Sequence, residues 1–263
     1  MGAEQDANRI LTTLRANLSF PAWESGLQSV QFLIAVFEFV LLIFSLSVHE
    51  CAHAWTASYL GDQTARMQGG VTLNPAYHAD LIGTLLFPAL IIFGPFIGFT
   101  MFSGVIVGWA KPTPVITRNF QKIRRDDNLT TLAGPASNLL IAFVAFLVLA
   151  LISIGVPGGH ALVQATLNGG IAMGLPTALP AFVLLCILAI EINVGLFFFN
   201  LLPIPPLDGS RLLRNLLPYN AMQTYDRIPM WVSYLFMILI GGTVLRLLIA
   251  PALGIVYFAL RLV

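Results

Sequence analysis

Long apolar stretches alternate with short polar ones along the chain, at roughly 31–48, 81–108, 129–154, 178–202 and 230–262. A helix crossing a bilayer needs about 20 largely apolar residues, and each stretch meets or approaches that length. The first continues past His49 toward Tyr59, because A-H-A-W-T-A-S-Y-L holds no helix breaker before Gly61. The second is long for one span and short for two, at about 1.5 Å of rise per residue. Gly94-Pro95 lies at its middle and Pro88 adds a break, so a re-entrant or bent segment is predicted at 81–108. In the last stretch Gly241-Gly242, Arg246 and Pro251 predict one span plus a short return. The stretch D-Q-T-A-R-M-Q-G-G-V-T-L-N-P after Gly61 suggests a short β-hairpin near 62–75. The fold class so predicted is an all-α polytopic membrane bundle, with a polar N-terminal tail at 1–30 and one membrane-embedded domain over 31–263.

Composition agrees with this reading. Hydrophobic residues make up 57% of the chain and charged residues 10%, with a mean hydropathy of +0.85. Soluble domains carry about 25% charged residues. The net charge of +1 leaves no basic field to recruit nucleic acid. Cys51 and Cys186 both sit in apolar runs, which argues against a disulfide framework. Residues 1–30 lack the short basic start of a secretory signal, so the first apolar run reads as a retained span.

Charge placement orients the bundle. Arg66 precedes the second apolar region, and Lys111, Arg118, Lys122, Arg124 and Arg125 follow it. The positive-inside rule puts both flanks on the cytoplasmic side, so that region enters and leaves on one face. The connection 155–177 has no Lys or Arg and suits the other face, and Arg211, Arg214 and Arg227 return the chain inward. Arg9 and Arg15, in a tail this layout places outside, run against the rule.

Within the first apolar run stands His49-Glu50-Cys51-Ala52-His53, an H-E-x-x-H pattern on a predicted helix. Positions i and i+4 share a face, so both imidazoles can bind one zinc ion. Glu50 follows the first ligand, where its carboxylate can act as general base on water activated by the metal. Ionisable groups inside a membrane segment point to function unless partnered otherwise.

A catalytic zinc usually takes three protein ligands. His78, His160 and several carboxylates are available, and Asp208, in N-L-L-P-I-P-P-L-D-G-S-R at 200–211, is the best placed. Pro203, Pro205 and Pro206 must end the preceding helix, Gly209 permits a tight turn, and the aspartate then lies at the membrane end that carries the histidines. Ala133-Gly134-Pro135-Ala136-Ser137-Asn138 opens the third region on the same side. Its small residues allow close helix approach, and Asn138 can hold a substrate carbonyl, stabilise an oxyanion or bond between helices.

Taken in order, H-E-x-x-H at 49–53, G-x-x-x-N at 134–138 and N-x-x-P-x-P-x-x-D-G at 200–209 resemble the signatures of the site-2 proteases, a family of intramembrane zinc metallopeptidases. The stretches G-G-V-T-L-N-P-A-Y-H-A-D-L-I-G-T at 69–84 and G-W-A-K-P-T-P-V at 108–115 are similar to a compact bacterial-type branch without PDZ or nucleotide-sensing domains. The resemblance implies one Zn2+ per chain held by His49, His53 and Asp208, Glu50 as catalytic acid/base, and Asn138 beside the substrate. It also implies cleavage of transmembrane segments of membrane proteins from the cytoplasmic side of a cell membrane. Because helical carbonyls are engaged in hydrogen bonds, substrates with Gly, Pro or Asn near the cut are expected to be favoured.

Other readings stay open at this point. A transporter or channel can also line a path with intramembrane polar residues. A CAAX-type prenyl-protein protease would take its third ligand from a later glutamate, and Glu191 is the one available. A catalytically silent member of the family is a third alternative. Glu38, eleven residues before His49, shares its helix face. Glu38 and Glu191 read first as polar glue within the bundle and second as a proton path to the metal. Asn200 and His78 are accessory candidates, although His78 and Asp80 fit better as organisers of the loop before 81. The Lys122-Ile-Arg-Arg125 cluster suits contact with anionic headgroups of the lipid bilayer.

Overall fold

The computed structural model describes residues 22–99, 111, 113–169, 178–237, 239 and 242–263. The first helix, α1 (Ala22–Tyr59), is 38 residues long, with no proline along it. It therefore starts inside the predicted polar tail at 1–30 and continues unbroken through the H-E-x-x-H pattern. Helices α5 (Ile123–Gly155), α7 (Ala178–Asn200) and α11 (Gly242–Leu262) are, with residues 29–59 of α1, the described helices long and apolar enough to cross a membrane. The chain is an integral membrane protein.

Two expectations need correction. Where a hairpin was expected near 62–75, the chain forms two helical turns, α2 (Thr64–Met67) and α3 (Pro75–His78), and no strand is present among the described residues. Local side-chain bonds decide this. The Asp62 carboxylate accepts from the Thr64 N–H at 3.2 Å, and Asn74 Oδ1 accepts from the Ala76 N–H at 3.0 Å. These residues offer the backbone turn partners in place of a ladder. In the last apolar stretch Arg246 and Pro251 lie inside the continuous α11, so the span is not cut there, and a short helix, α10 (Met230–Phe236), precedes it. A proline within a spanning helix is tolerated where neighbours and local adjustments satisfy the freed backbone group.

The second apolar region is broken, as its prolines predict. A π-helical turn (Leu81–Leu86), α4 (Phe87–Phe93) and a 3₁₀ turn (Gly94–Ile97) follow in series, and Gly98 ends them in the left-handed region at φ 76°. Asp80 caps the start by accepting from the N–H groups of Ile82 and Gly83. Residues 100–108 of this region lie outside the described residues. Phe93 packs on α1 through Phe32 and Phe39, with ring centroids 5.7 and 5.6 Å apart.

Helix α5 is central, packing on α1 along one side and on α7 along another. Leu149, Val183, Ile190 and Leu260 are fully buried in the main apolar core, joined by Val163 of α6 (Gly159–Leu167). The irregular segment after Asn200 leads into α8 (Asp208–Leu216), which lies against the N-terminal half of α5. Helix α9 (Tyr219–Tyr225) follows it.

Candidate active site

His49 and His53 project from one face of α1, one turn apart, and both are buried. Their rings meet edge to face with centroids 4.7 Å apart, and their Nε2 atoms are 3.0 Å apart. Asp208, in the first turn of α8, brings Oδ2 to 3.1 Å from His49 Nε2 and 3.2 Å from His53 Nε2. Three atoms from two distant parts of the sequence thus converge on one point. A carboxylate in a first helical turn also sits favourably in the helix dipole.

Two neighbours fix the imidazoles. His53 Nδ1 lies 2.7 Å from the Thr130 carbonyl oxygen, which can only accept, so this nitrogen carries the proton. His49 Nδ1 lies 3.0 Å from Asn138 Oδ1, which likewise accepts. With both Nδ1 atoms donating, both Nε2 atoms of the neutral rings present lone pairs to each other and to the Asp208 carboxylate. A single shared proton relieves one of the three close pairs. A cation bound by all three atoms relieves every one.

Size and donor type both suit zinc. Tetrahedral zinc with bonds of about 2.0–2.1 Å spaces its donors by about 3.4 Å, close to the 3.0–3.2 Å found here. Gly134 of α5 leaves the room: a Cβ there would fall 2.3 Å from His53 Nε2 and 2.5 Å from His49 Nε2. The glycine of G-x-x-x-N therefore does more than let helices approach, since any side chain would run into the two imidazoles. Gly209 also acts by close approach. A Cβ there would lie 2.2 Å from the Leu201 carbonyl oxygen, and its backbone is not left-handed, so the tight-turn expectation is replaced by a packing one.

Glu50 stands beside this cluster, and His49, Glu50 and His53 have potential ligand atoms within 4.8 Å of one another. Its carboxylate Oε2 accepts from the Thr113 hydroxyl at 2.8 Å and from the Thr113 N–H at 3.2 Å. That engagement sets Glu50 apart from the three converging atoms. The helix that carries Asp208 is held from behind: Arg211 and Asn215 of α8 bond to Asp127 of α5 at 2.8 and 2.6 Å.

Asn138 is wholly buried, and its Nδ2 has no hydrogen-bond partner among the described residues. The amide thus orients His49 with its oxygen and keeps two donors free. The remaining candidates lie elsewhere. His78 Nε2 bonds the Thr72 carbonyl at 2.9 Å and organises its loop. Asn200 donates to the Leu196 carbonyl at 3.0 Å and finishes α7. His160 pairs with Ser153 at 3.1 Å on the other half of α5. Glu191 accepts from the Tyr257 hydroxyl, joining α7 to α11, and is not the third ligand that a CAAX-type site would need. Glu38 lies on α1 within electrostatic reach of Glu191.

Thr113, Thr130 and Asp127 were not singled out from the sequence. Thr130 acts through its carbonyl, which any residue supplies. Thr113 had one signal, its place between Pro112 and Pro114 in the K-P-T-P run.

Residues 37–242 match the family described as Peptidase family M50. A protein of Bacillus subtilis (strain 168), "Putative zinc metalloprotease YwhC", is 36% identical over 200 residues, covering 76% of this chain and 78% of that protein. Rip2 of Mycolicibacterium smegmatis, under the same description, is 31% identical over 227 residues, covering 84% of this chain and 71% of its own length. Rip2 of Mycobacterium tuberculosis (strain H37Rv) is 30% identical over 196 residues, or 73% of this chain and 62% of that one. No solved structure gives a significant match.

Proposed function

The chain belongs to peptidase family M50, the site-2 proteases, and is a zinc metalloprotease; on that premise we propose that it hydrolyses peptide bonds in or near transmembrane segments of other membrane proteins. One observation carries the reading: three acceptor atoms, from His49, His53 and Asp208, converge at the end of a membrane-spanning helix with the Glu50 carboxylate beside them. One zinc ion per chain, bound by those three residues, supplies Lewis-acid polarisation of the scissile carbonyl and acidifies a water.

The chain's own residues do the rest. Glu50 takes the proton from the attacking water and returns it to the leaving amine, so one carboxylate serves as base and then acid. Asn138 offers its free Nδ2 donors to a substrate carbonyl while its Oδ1 keeps His49 in the ligating tautomer. His53 is kept in the same tautomer by the Thr130 carbonyl. The substrate is a membrane-protein helix that unwinds locally, entering from the bilayer with the site on the cytoplasmic side of a cell membrane. Flanking Lys and Arg residues support that orientation.

Zinc analysis combined with cleavage of a single-span membrane substrate tests the proposal. Wild type is expected to bind zinc and cut, Glu50→Gln to bind zinc without cutting, and Asp208→Ala to lose zinc. Cleavage by Glu50→Gln at the wild-type rate would overturn the role of Glu50. Full zinc affinity in Asp208→Ala would remove the third ligand.

A further inference from the structure

The segment that follows the second apolar region is lashed to the rest of the protein by backbone donors. The Lys111 N–H donates to the His78 carbonyl at 2.9 Å, the Thr113 N–H to Glu50 Oε2 at 3.2 Å, and the Ile116 N–H to Asp62 Oδ2 at 2.7 Å. Asn119 adds a side-chain bond to the same aspartate at 2.7 Å. Pro112 and Pro114 have no N–H to give, so Thr113 is the lone backbone donor between Lys111 and Val115. A proline at 114 also biases Thr113 toward extended backbone.

Those two donors both reach one carboxylate oxygen. The Thr113 hydroxyl is 2.8 Å from Glu50 Oε2 and 3.2 Å from the Glu50 carbonyl oxygen, and it shares its one proton between them. Oε2 is therefore engaged twice, while Oε1 has no such partner among the described residues. A carboxylate on a three-torsion side chain is otherwise free to rotate, and fixing one oxygen aims the other.

We infer that Thr113 is a positioning residue for the reaction: it holds Glu50 by Oε2 so that Oε1 points to the place where the proton is taken up. This rests on Glu50 acting as the acid/base. Anchoring at His78 and Asp62 explains how a residue 63 positions away in sequence is delivered to the glutamate with fixed geometry. The arrangement makes K-P-T-P part of the catalytic apparatus rather than a connector.

The test uses the full chain with zinc restored, a single-span substrate carrying Gly and Asn at mid-span, and three variants. Thr113→Val keeps the shape and the N–H but removes the hydroxyl. It is expected to lower kcat about 10- to 100-fold, with KM within about twofold and zinc content unchanged. Thr113→Ser restores the hydroxyl and is expected to return kcat to within a few-fold of wild type. Glu50→Gln provides the zero for activity and, by infrared difference against wild type, marks the Glu50 carboxylate band. Thr113→Val should shift that band and Thr113→Ser should leave it near its wild-type position. Wild-type kcat in Thr113→Val, loss confined to KM or zinc content, no recovery in Thr113→Ser, or an unmoved band would each overturn the inference. If wild type and Glu50→Gln behaved alike toward the substrate, the protease reading would fail, and the infrared band would still decide whether Thr113 holds Glu50.

Discussion

At one end of the bundle, α1, α5 and α8 meet through His49, His53, Asn138, Asp127 and Asp208; at the other, α5, α7 and α11 meet through Leu149, Val183, Ile190 and Leu260. Both regions are buried. In the second, the contacts are non-directional, and a side chain of similar volume serves nearly as well. In the first, the contacts are directional and at set distances: Thr130 for His53, Asn138 for His49, Asp127 for the helix that carries Asp208. The difference separates two kinds of damage. Substitutions among the polar groups should disable metal binding while leaving the bundle folded, and substitutions in the apolar core should do the reverse.

The sharpest way to break that separation is Gly134→Ala. The added methyl carbon would lie within 2.6 Å of three imidazole atoms, so zinc binding should fall at least a hundredfold and cleavage with it. The methyl also overpacks the two rings in the metal-free protein, so a modest loss of thermal stability is expected, small beside the loss of metal. Retention of zinc in this variant would mean that the ligands meet elsewhere. Asn138→Ala comes next. Freed from its oxygen partner, His49 loses its tautomer preference, and zinc affinity measured by competition with a chelator should fall about 10- to 100-fold.

In the apolar region Leu149→Ala should destabilise the protein by about 2 kcal/mol through lost packing, with one zinc still bound. Loss of metal in that variant would erase the distinction between the two regions. The smallest effect is expected at Asp62, which ties α2 to residues 116 and 119. Burial pushes its carboxyl up, but hydrogen bonds from Thr64, Ile116 and Asn119 outweigh it and lower the pKa. Its stabilisation is therefore complete above an unfolded pKa of about 3.9 and is lost as pH falls through the lower folded value. Asp62→Asn should lower the thermal midpoint by about 2 °C at pH 7, with the gap to wild type closing only below about pH 4.

What was legible in the sequence follows the range of the interactions. His49, Glu50 and His53 could be read because helical spacing alone puts them together. Asp208 could be read because Pro203, Pro205 and Pro206 mark where the helix before it must end. The hairpin near 62–75 was misread because two single side-chain bonds, from Asp62 and Asn74, decide between turn and strand. The partners of the site residues were hidden for another reason. Thr130 contributes a carbonyl, and Thr113 and Asp127 act across long sequence separations, where no periodicity or spacing rule applies. The space that Gly134 leaves for a metal exists only once α1 and α5 are packed.

The central claim is that two imidazole nitrogens and one carboxylate oxygen hold a single zinc ion. X-ray absorption at the zinc edge of the purified chain tests it most directly. One zinc per chain, with the multiple-scattering pattern of two histidines and a remaining shell of oxygen, is the result expected. A sulfur shell, which would implicate Cys51, or a spectrum with no histidine scattering would contradict it.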